Sequence, residues 1–384
     1  MAMRAMLRPA AVATRPLDLL HQRRPLATWL HPPSAGLVPL ASRQVLAISG
    51  LDAAKFLQGL VTANVLAPDG LPRPHGFYSA LLNAKGRVMH DVFIYPIPTG
   101  ARLAHVDRLD PGFLVEADAS QLRLLEHYIK RYKLRANLTV RPLHADAVSV
   151  WQAWDDGADL TSALARTPSA LSMPDTRAPG LGHRILQLNG SQAPELHLQH
   201  RDEIAYTIRR YLSGVPEGQH EIVREQALPL ESNMDLMGAI DFRKGCYVGQ
   251  ELTIRTRHRG VVRKRILPCV LYRDAHPPAT LSYHPPPHGA PAAESFPANT
   301  SIGRVGKTGR SAGKWLRGTA NIGLALCRLE IMTDVVLPGE QAASAYSPGD
   351  EFMLDVGQDE SPVRIKAFAP AWLRQGLDER LKTA

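Results

Sequence analysis

The sequence has no long apolar segment and little cysteine. No run approaches the roughly 18–20 consecutive apolar residues that a membrane-spanning helix needs, so we expect no membrane insertion. Three cysteines in 384 residues argue against a disulfide framework, and their odd number leaves at least one thiol free, which favours a reducing compartment. The 45% hydrophobic and 21% charged residues that are present are typical of a globular protein, and the length suffices for two or three domains.

The first 35 residues lack lysine and contain one acidic residue, Asp18, against five arginines. Arg-rich and acid-poor composition is typical of a mitochondrial transit peptide, and Arg and Pro interrupt every apolar run that a secretory signal would need. We therefore predict that residues 1–35 are a targeting segment outside the fold and that the protein acts in the mitochondrial matrix. An N-terminal tail without a targeting role is the alternative.

The net charge of +9 has one concentrated source outside this segment, the alternating arginines Arg255, Arg257 and Arg259. On a strand, alternating residues face the same side, so these arginines would form one basic patch. Such a patch would attract an acidic partner or ligand, and a solvated or ion-paired face is the alternative. No aromatic residues are interleaved with the arginines, and we therefore expect no nucleic acid partner.

Residues 36–262 mix strand and helix patterns without a strict βαβ repeat, which indicates an α+β region of two interleaved subdomains. Within it, residues 152–182 resemble a weakly structured, variable excursion. Residues 263–384 contain short strands separated by Gly and Pro turns, which predicts a small antiparallel β-barrel with a Pro/His-rich loop at 274–300. A strand is also predicted from Ala101 to Val106.

The Pro/His-rich loop contains His276, His284 and His288. Their spacing matches no metal-ligand motif and no cysteine lies near, so we interpret them as solvated loop histidines.

The segment that carries chemistry is the octapeptide Lys244-Gly245-Cys246-Tyr247-Val248-Gly249-Gln250-Glu251. Its glycines keep the backbone around Cys246 accessible, and a helix or turn is expected to start near Gly249. Positive charge or a helix N-terminus favours the thiolate, which is the nucleophilic and metal-binding form of cysteine. Cys269 and Cys327 lie in apolar strands, where we expect buried, inert thiols. From spacing alone, a structural role for Cys246 stays open.

The octapeptide, with Arg255 following, resembles the signature Lys-Gly-Cys-aromatic-x-Gly-Gln-Glu of the YgfZ-type branch of the folate-binding aminomethyltransferase-like family. Residues 52–62, 83–87 and 228–233 also match that family, in the same order. With the predicted transit peptide, the resemblance points to the mitochondrial members of this branch. It implies the fold of the glycine-cleavage T-protein, with three subdomains around a central channel that admits tetrahydrofolate.

The resemblance also implies a role in iron–sulfur protein maturation. Members of this branch help A-type scaffold proteins to deliver [4Fe–4S] clusters to aconitase-like and radical-SAM client enzymes, such as lipoate synthase. Cys246 would then be a thiolate that shares a transient [2Fe–2S] cluster with its partner. One thiolate supplies one of the four ligands that such a cluster needs, so we expect no tightly bound cluster or cofactor in this chain alone.

For tetrahydrofolate, the resemblance nominates Glu231 as the carboxylate that grips the pterin ring and Asp91 as the acid near the folate amine, with Tyr78 and Asn233 as further candidates. A carboxylate suits a pterin because it accepts two hydrogen bonds from adjacent N–H groups. The acidic pair of the aminomethyltransferases is replaced here by His90-Asp91, so we favour an assembly factor over an enzyme.

Each of these assignments has an alternative. A tetrahydrofolate-dependent one-carbon or aminomethyl transferase is the alternative function. Asp91 could instead be a polar residue at an exposed strand edge, and Glu231 a carboxylate at a helix start.

Overall fold

The computed structural model describes most of the chain in nine stretches, which are 31–98, 110–167, 169–190, 192–274, 276–285, 292–306, 309–337, 346–356 and 363–383. Residues 1–30 of the predicted targeting segment, the predicted strand Ala101 to Val106, and His288 lie outside the described residues.

The described strands and helices have the following bounds. The strands are β1 Ala35–Pro39, β2 Arg43–Ser49, β3 Phe77–Leu82, β4 Val88–Pro96, β5 Gly112–Asp118, β6 Thr139–Pro142, β7 Val148–Asp155, β8 Ala170–Pro174, β9 His183–Leu188, β10 Lys264–Tyr272, β11 Ser301–Arg304, β12 Gly313–Thr319, β13 Ile322–Arg328, β14 Phe352–Leu354 and β15 Arg364–Ala367. The helices are α1 Ala53–Gln58, α2 Leu122–Lys133, α3 Thr161–Ala165, α4 Glu203–Ser213, α5 Gln250–Arg259, α6 Leu329–Met332 and α7 Ala371–Thr383.

The first unit is a five-stranded antiparallel sheet with the order β3-β4-β5-β2-β6. Every residue of β3 is buried, because the sheet is covered on both faces. Successive side chains of a strand point to opposite faces, so Tyr78 and Ala80 enter one hydrophobic core while Phe77 and Leu81 enter another. Helices α1 and α2 contribute apolar residues to the second of these cores.

The second unit is a four-stranded antiparallel sheet with the order β1-β7-β9-β8. It corrects the interpretation of residues 152–182 as weakly structured, since this stretch contains the end of β7, helix α3 and strand β8. Trp154, at the end of β7, is 1% exposed and donates its indole N–H to the carbonyl of Pro33 at 3.0 Å. Strand β7 pairs with the distant β1, and β8 forms a hairpin with β9.

The third unit is a closed antiparallel barrel with the order β10-β13-β12-β11-β14-β15. Its interior contains Leu267, Trp315 and Ala325, together with Cys269 and Cys327. The sequence pattern did not predict strand β12, because glycine and charged residues interrupt its apolar residues.

In the Pro/His-rich loop, Ala293 and Phe296 are buried against the barrel, and this contact holds the C-terminal part of the loop in place.

Among the described residues no helix is both long enough and apolar enough to cross a bilayer.

Candidate functional site

The octapeptide lies in the connection that leads into α5, and Lys244 anchors its start. The Lys244 Nζ donates to the carbonyl oxygens of Val61 at 2.6 Å and Ala63 at 2.8 Å, both in the segment that follows α1. The same ammonium lies 5.2 Å from the ring centroid of Tyr247. Burial lowers the pKa of Lys244 to about 8, against the opposing effect of Asp241. Lys244 is therefore an internal support of this loop, and its ammonium is not a freely solvated charge.

Two glycines allow the octapeptide to pack closely on the β3–β4 turn. Gly249 has a φ of +78°, and a Cβ at this position would lie 2.2 Å from the carbonyl oxygen of Asn83. Gly86, in the turn itself, has a φ of +75°, and its Cβ would lie 2.9 Å from the Cβ of Leu252. Side chains at either position would separate the two backbones, so the motif needs glycine at Gly249 for steric reasons.

The remaining motif residues orient the loop and start the helix. The Gln250 Oε1 accepts a hydrogen bond from the backbone N–H of Tyr247 at 3.2 Å, and the backbone N–H of Val248 donates to the carbonyl of Gly59 at 3.2 Å. The Tyr247 ring is buried, and burial raises the pKa of its hydroxyl to about 12. Glu251 is exposed in the first turn of α5, where the helix dipole favours a negative charge.

Cys246 is exposed at the surface, three residues before the N-cap of α5. The adjacent Gly245 is also exposed, and a Cβ there would meet nothing within 4 Å. The other two thiols are buried in the barrel, with their sulfur atoms 3.9 Å apart, which confirms the prediction for Cys269 and Cys327. Burial raises the pKa of the Cys269 thiol well above its ordinary value. Cys246 is therefore the one cysteine of the three that a partner protein can reach.

The prediction that Arg255, Arg257 and Arg259 face one side of a strand is wrong, because they lie on helix α5. At 3.6 residues per turn, Arg255 and Arg259 share an exposed face, while Arg257 points elsewhere and lies 5.0 Å from the ring centroid of Phe242. The alternation of charges suggested a strand, but leucine, glutamate, glutamine and arginine are good helix formers.

Exposed basic side chains nevertheless lie on several elements that adjoin the octapeptide in the chain or pack against it. Helix α1, the β3–β4 turn, the loop before Cys246 and helix α5 all contribute. We call this set the cationic rim, and its exposed members are Lys55, Lys85, Arg243, Arg255 and Arg259. Between residues 241 and 259 the acidic residues are Asp241 and Glu251, so basic residues outnumber acidic ones in this segment.

The folate candidate Asp91 is buried in β4, where its carboxylate is already paired. The Arg43 Nη1 lies 3.1 Å from Asp91 Oδ2, and the backbone N–H of Gly218 donates to Asp91 Oδ1 at 3.2 Å. The alternative of an exposed strand edge is also wrong, because β4 lies between β3 and β5. Both carboxylate oxygens of Asp91 therefore already have a partner within the fold.

Asp91 belongs to a buried network of charges that joins the two sheets to α4 and the loop after it. Arg43 Nε lies 2.8 Å from Glu116 Oε1, and Arg177 Nη1 lies 2.7 Å from Glu217 Oε2, which also pairs with Arg184. Burial by itself raises the pKa of Glu217, but the arginines around it outweigh burial and hold that pKa well below its usual range. The members are Arg43, Arg177, Arg184, Arg210, Asp91, Glu116, Asp175, Glu217 and Glu221.

The other folate candidates are also engaged in the fold. Tyr78 is buried with its ring centroid 5.0 Å from that of Phe93, and burial raises the pKa of its hydroxyl. The Asn233 amide nitrogen donates to the carbonyl of Ile266 at 2.7 Å, so it ties a turn to the barrel. Glu231 lines a cavity of about 280 Å³, which Tyr78, Asp91 and Asn233 do not line. This cavity therefore does not bring the four candidates together.

Metal-binding side chains are likewise scattered. Among the residues that the structure describes, no group of three or more His, Cys, Asp or Glu side chains could hold a metal ion. His276 and His284 are exposed, and the backbone N–H of His284 donates to Asn321.

The fold defines the class of protein. The chain is similar to the crystal structure of the glycine cleavage system aminomethyltransferase T from Bartonella henselae, with a TM-score of 0.58 over 89% of this chain and 87% of that one. At 12% sequence identity, the likeness shows the fold alone, and it confirms the predicted α+β, aminomethyltransferase-like architecture. Residues 263–375 match the family described as CAF17, C-terminal beta-barrel domain.

Sequence relatives narrow this class. The chain is 55% identical to the protein named iron-sulfur cluster assembly factor IBA57 homolog, mitochondrial, from Pyricularia oryzae, over 90% of this chain and 86% of the relative. Proteins of the same name from Chaetomium globosum and Neurospora crassa are 49% and 45% identical, over 89% and 88% of this chain and 84% and 81% of the relatives. The chain belongs to the family of these mitochondrial IBA57-type iron–sulfur cluster assembly factors.

Proposed function

We propose that this protein assists the assembly of [4Fe–4S] clusters in the mitochondrial matrix, and that Cys246 is the thiolate through which it acts. Its partner would be an A-type scaffold protein, and its clients aconitase-like and radical-SAM enzymes such as lipoate synthase. The observation that carries this proposal is the exposure of Cys246 on a supported loop, while the other two thiols of the chain are buried.

The number of protein ligands that an iron–sulfur cluster needs implies that Cys246 acts together with a partner. A [2Fe–2S] cluster needs four protein ligands, and Cys246 supplies one of them. The partner would supply the other three, so the cluster is cargo held at the interface between two proteins. Lys244, Gly249 and Gln250 would hold the loop in one conformation, which reduces the entropy lost when the thiolate joins the shared cluster.

The cationic rim indicates the charge of the partner surface. Exposed basic side chains lie on four elements that adjoin the octapeptide, and opposite charge on a partner accelerates its encounter and orients it. We therefore propose that the A-type scaffold presents an acidic surface beside its cluster ligands. Because the rim residues are exposed, this attraction would weaken with ionic strength.

The test compares Cys246→Ser with Cys269→Ala, which removes a thiol in the barrel interior. Each variant is mixed with a cluster-loaded A-type scaffold, the visible absorption and circular dichroism of a [2Fe–2S] centre are recorded, and aconitase activity and protein lipoylation are measured in cells. We expect Cys246→Ser to abolish the shared-cluster spectrum and lower both activities, while Cys269→Ala retains them. Wild-type transfer by Cys246→Ser would refute the role of the thiol.

A tetrahydrofolate-dependent transferase is the competing function, and the position of Asp91 gives it no support. Its carboxylate is neutralised by Arg43 and hydrogen-bonded to Gly218, so it is not placed to take a proton from a folate amine. We therefore propose that the protein does not transfer a one-carbon unit from tetrahydrofolate. Formation of a stoichiometric one-carbon product from tetrahydrofolate by the purified protein would contradict this proposal.

A further inference from the structure

The cavity that Glu231 lines lies between the barrel and the segment before the octapeptide, and basic side chains surround it. Its barrel wall comes from the outer face of β10, β12 and β13, and its other wall from residues 221–232. The basic side chains that line it are Arg87, Lys264, Lys314 and Arg328. We call it the basic cavity.

The strand register brings these cations together on one face. Lys264 of β10 is directly opposite Arg328 of β13, and Ile266 is opposite Leu326 two residues further along. Lys314 of β12 is opposite Leu326 on the other side, so it is a diagonal neighbour of Arg328. Like charges directly opposite each other across an antiparallel pair are destabilising, so the fold maintains an unfavourable arrangement here.

Acidic residues of the cavity neutralise this charge only in part. The Lys264 Nζ lies 3.6 Å from Glu231 Oε1, which is a loose pair. Glu221 also lines the cavity, but Arg210 holds it at 2.7 Å and 3.2 Å, and Tyr211 donates to it at 2.8 Å. Arg87 Nη1 donates to the carbonyl of Gln226 at 2.7 Å, and Arg328 Nε donates to the carbonyl of Ser311 at 3.0 Å. Within the described stretches, neither these two arginines nor Lys314 has an ion-pair partner, so an excess of positive charge faces the cavity.

The size and the apolar walls of the cavity restrict its occupant. A volume of about 280 Å³ lies just below the roughly 300–1,000 Å³ of typical ligand pockets, which is the scale of a small anion. Apolar side chains such as Val223, Ala227 and Leu316 line it and reduce the local dielectric constant, which strengthens each charge interaction.

We propose that the basic cavity binds a small anion with two or more negative charges, of the phosphate or carboxylate class. Such an anion would offset the repulsion between Lys264 and Arg328, and it would contact strands β10 and β13 at the same time. The site is separate from Cys246, and the proposal does not depend on the role of that thiol.

The experiment titrates the full-length protein with pyrophosphate and, separately, with citrate at low ionic strength, by calorimetry and thermal unfolding. Lys314→Gln removes an exposed lysine of the cavity, and Arg166→Gln removes an exposed arginine at the end of α3 that does not line it. We expect at least one of the two anions to bind and raise the unfolding temperature. Lys314→Gln should raise its dissociation constant about tenfold, as the loss of one charge-assisted hydrogen bond does, and Arg166→Gln should leave it unchanged.

The two probes separate the sources of the anion. Preferential binding of pyrophosphate assigns the site to phosphate compounds, and preferential binding of citrate assigns it to carboxylates. Failure of both anions to bind at tens of millimolar would overturn the proposal. An equal loss of affinity in Lys314→Gln and Arg166→Gln would also overturn it, because it would show diffuse charge attraction only.

Discussion

Removal of the Asp91 carboxylate should cost stability, because this group neutralises a buried guanidinium. In Asp91→Ala, Arg43 keeps its ion pair with Glu116 but loses the one with residue 91, and the backbone N–H of Gly218 loses its acceptor. The side chains of Arg43 and Asp91 are 1% and 0% exposed, so water does not replace the lost partner. Breaking a buried ion pair from one side typically costs about 3–5 kcal/mol.

This loss converts into a measurable shift of the unfolding temperature. An unfolding entropy of about 2.1 cal/mol/K per residue gives on the order of 0.7 kcal/mol/K for the ordered part of this chain. Asp91→Ala should therefore lower the midpoint by about 4–7 °C, measured by scanning calorimetry at neutral pH.

A double-mutant cycle with Arg43→Met identifies the cause. Because both substitutions remove the same pair, their combined loss of stability should be smaller than the sum of the single losses by about 1–3 kcal/mol. An Asp91→Ala variant that unfolds at the wild-type temperature but loses biological function would refute the structural role, since Asp91 would then act on a ligand.

Three further predictions concern single positions. Burial, with Arg224 nearby, lowers the pKa of His90 to about 3, so the folded state stays neutral while the unfolded state binds a proton below about pH 6.5. Between pH 7 and 5 the free energy of unfolding should therefore fall by about 2 kcal/mol through His90 alone, and urea denaturation of His90→Leu should lack this part of the loss. Iodoacetamide followed by mass spectrometry should modify Cys246 in the native protein and the two barrel thiols only after denaturation; their modification under native conditions would contradict the barrel packing. Gly249→Ala should destabilise the protein by more than about 1–2 kcal/mol, because its positive φ and the contact with the β3–β4 turn both oppose a side chain, while Gly245→Ala should change the midpoint in urea little; equal effects would argue against this packing.

Much of the architecture could be predicted because it depends on local patterns. The hairpin of β3 and β4, the helix that ends before Gly214, and the antiparallel barrel after residue 263 follow from apolar periodicity and turn residues. The error at α5 has the same origin, since charges spaced by two residues are compatible with a strand until the capping glycine and the helix formers are weighed.

The sequence by itself identified the octapeptide, the candidate thiol and the family, because these depend on the identity of adjacent residues. Only the tertiary structure decided what surrounds them. Arg43 pairs with Asp91 from 48 positions away, and Lys264 meets Arg328 through strand register, so no local pattern contains either contact. The cationic rim likewise depends on turns and helices that meet in space. Side-chain periodicity encodes which face of an element is buried, but the partner of a buried charge is fixed only when distant elements pack together.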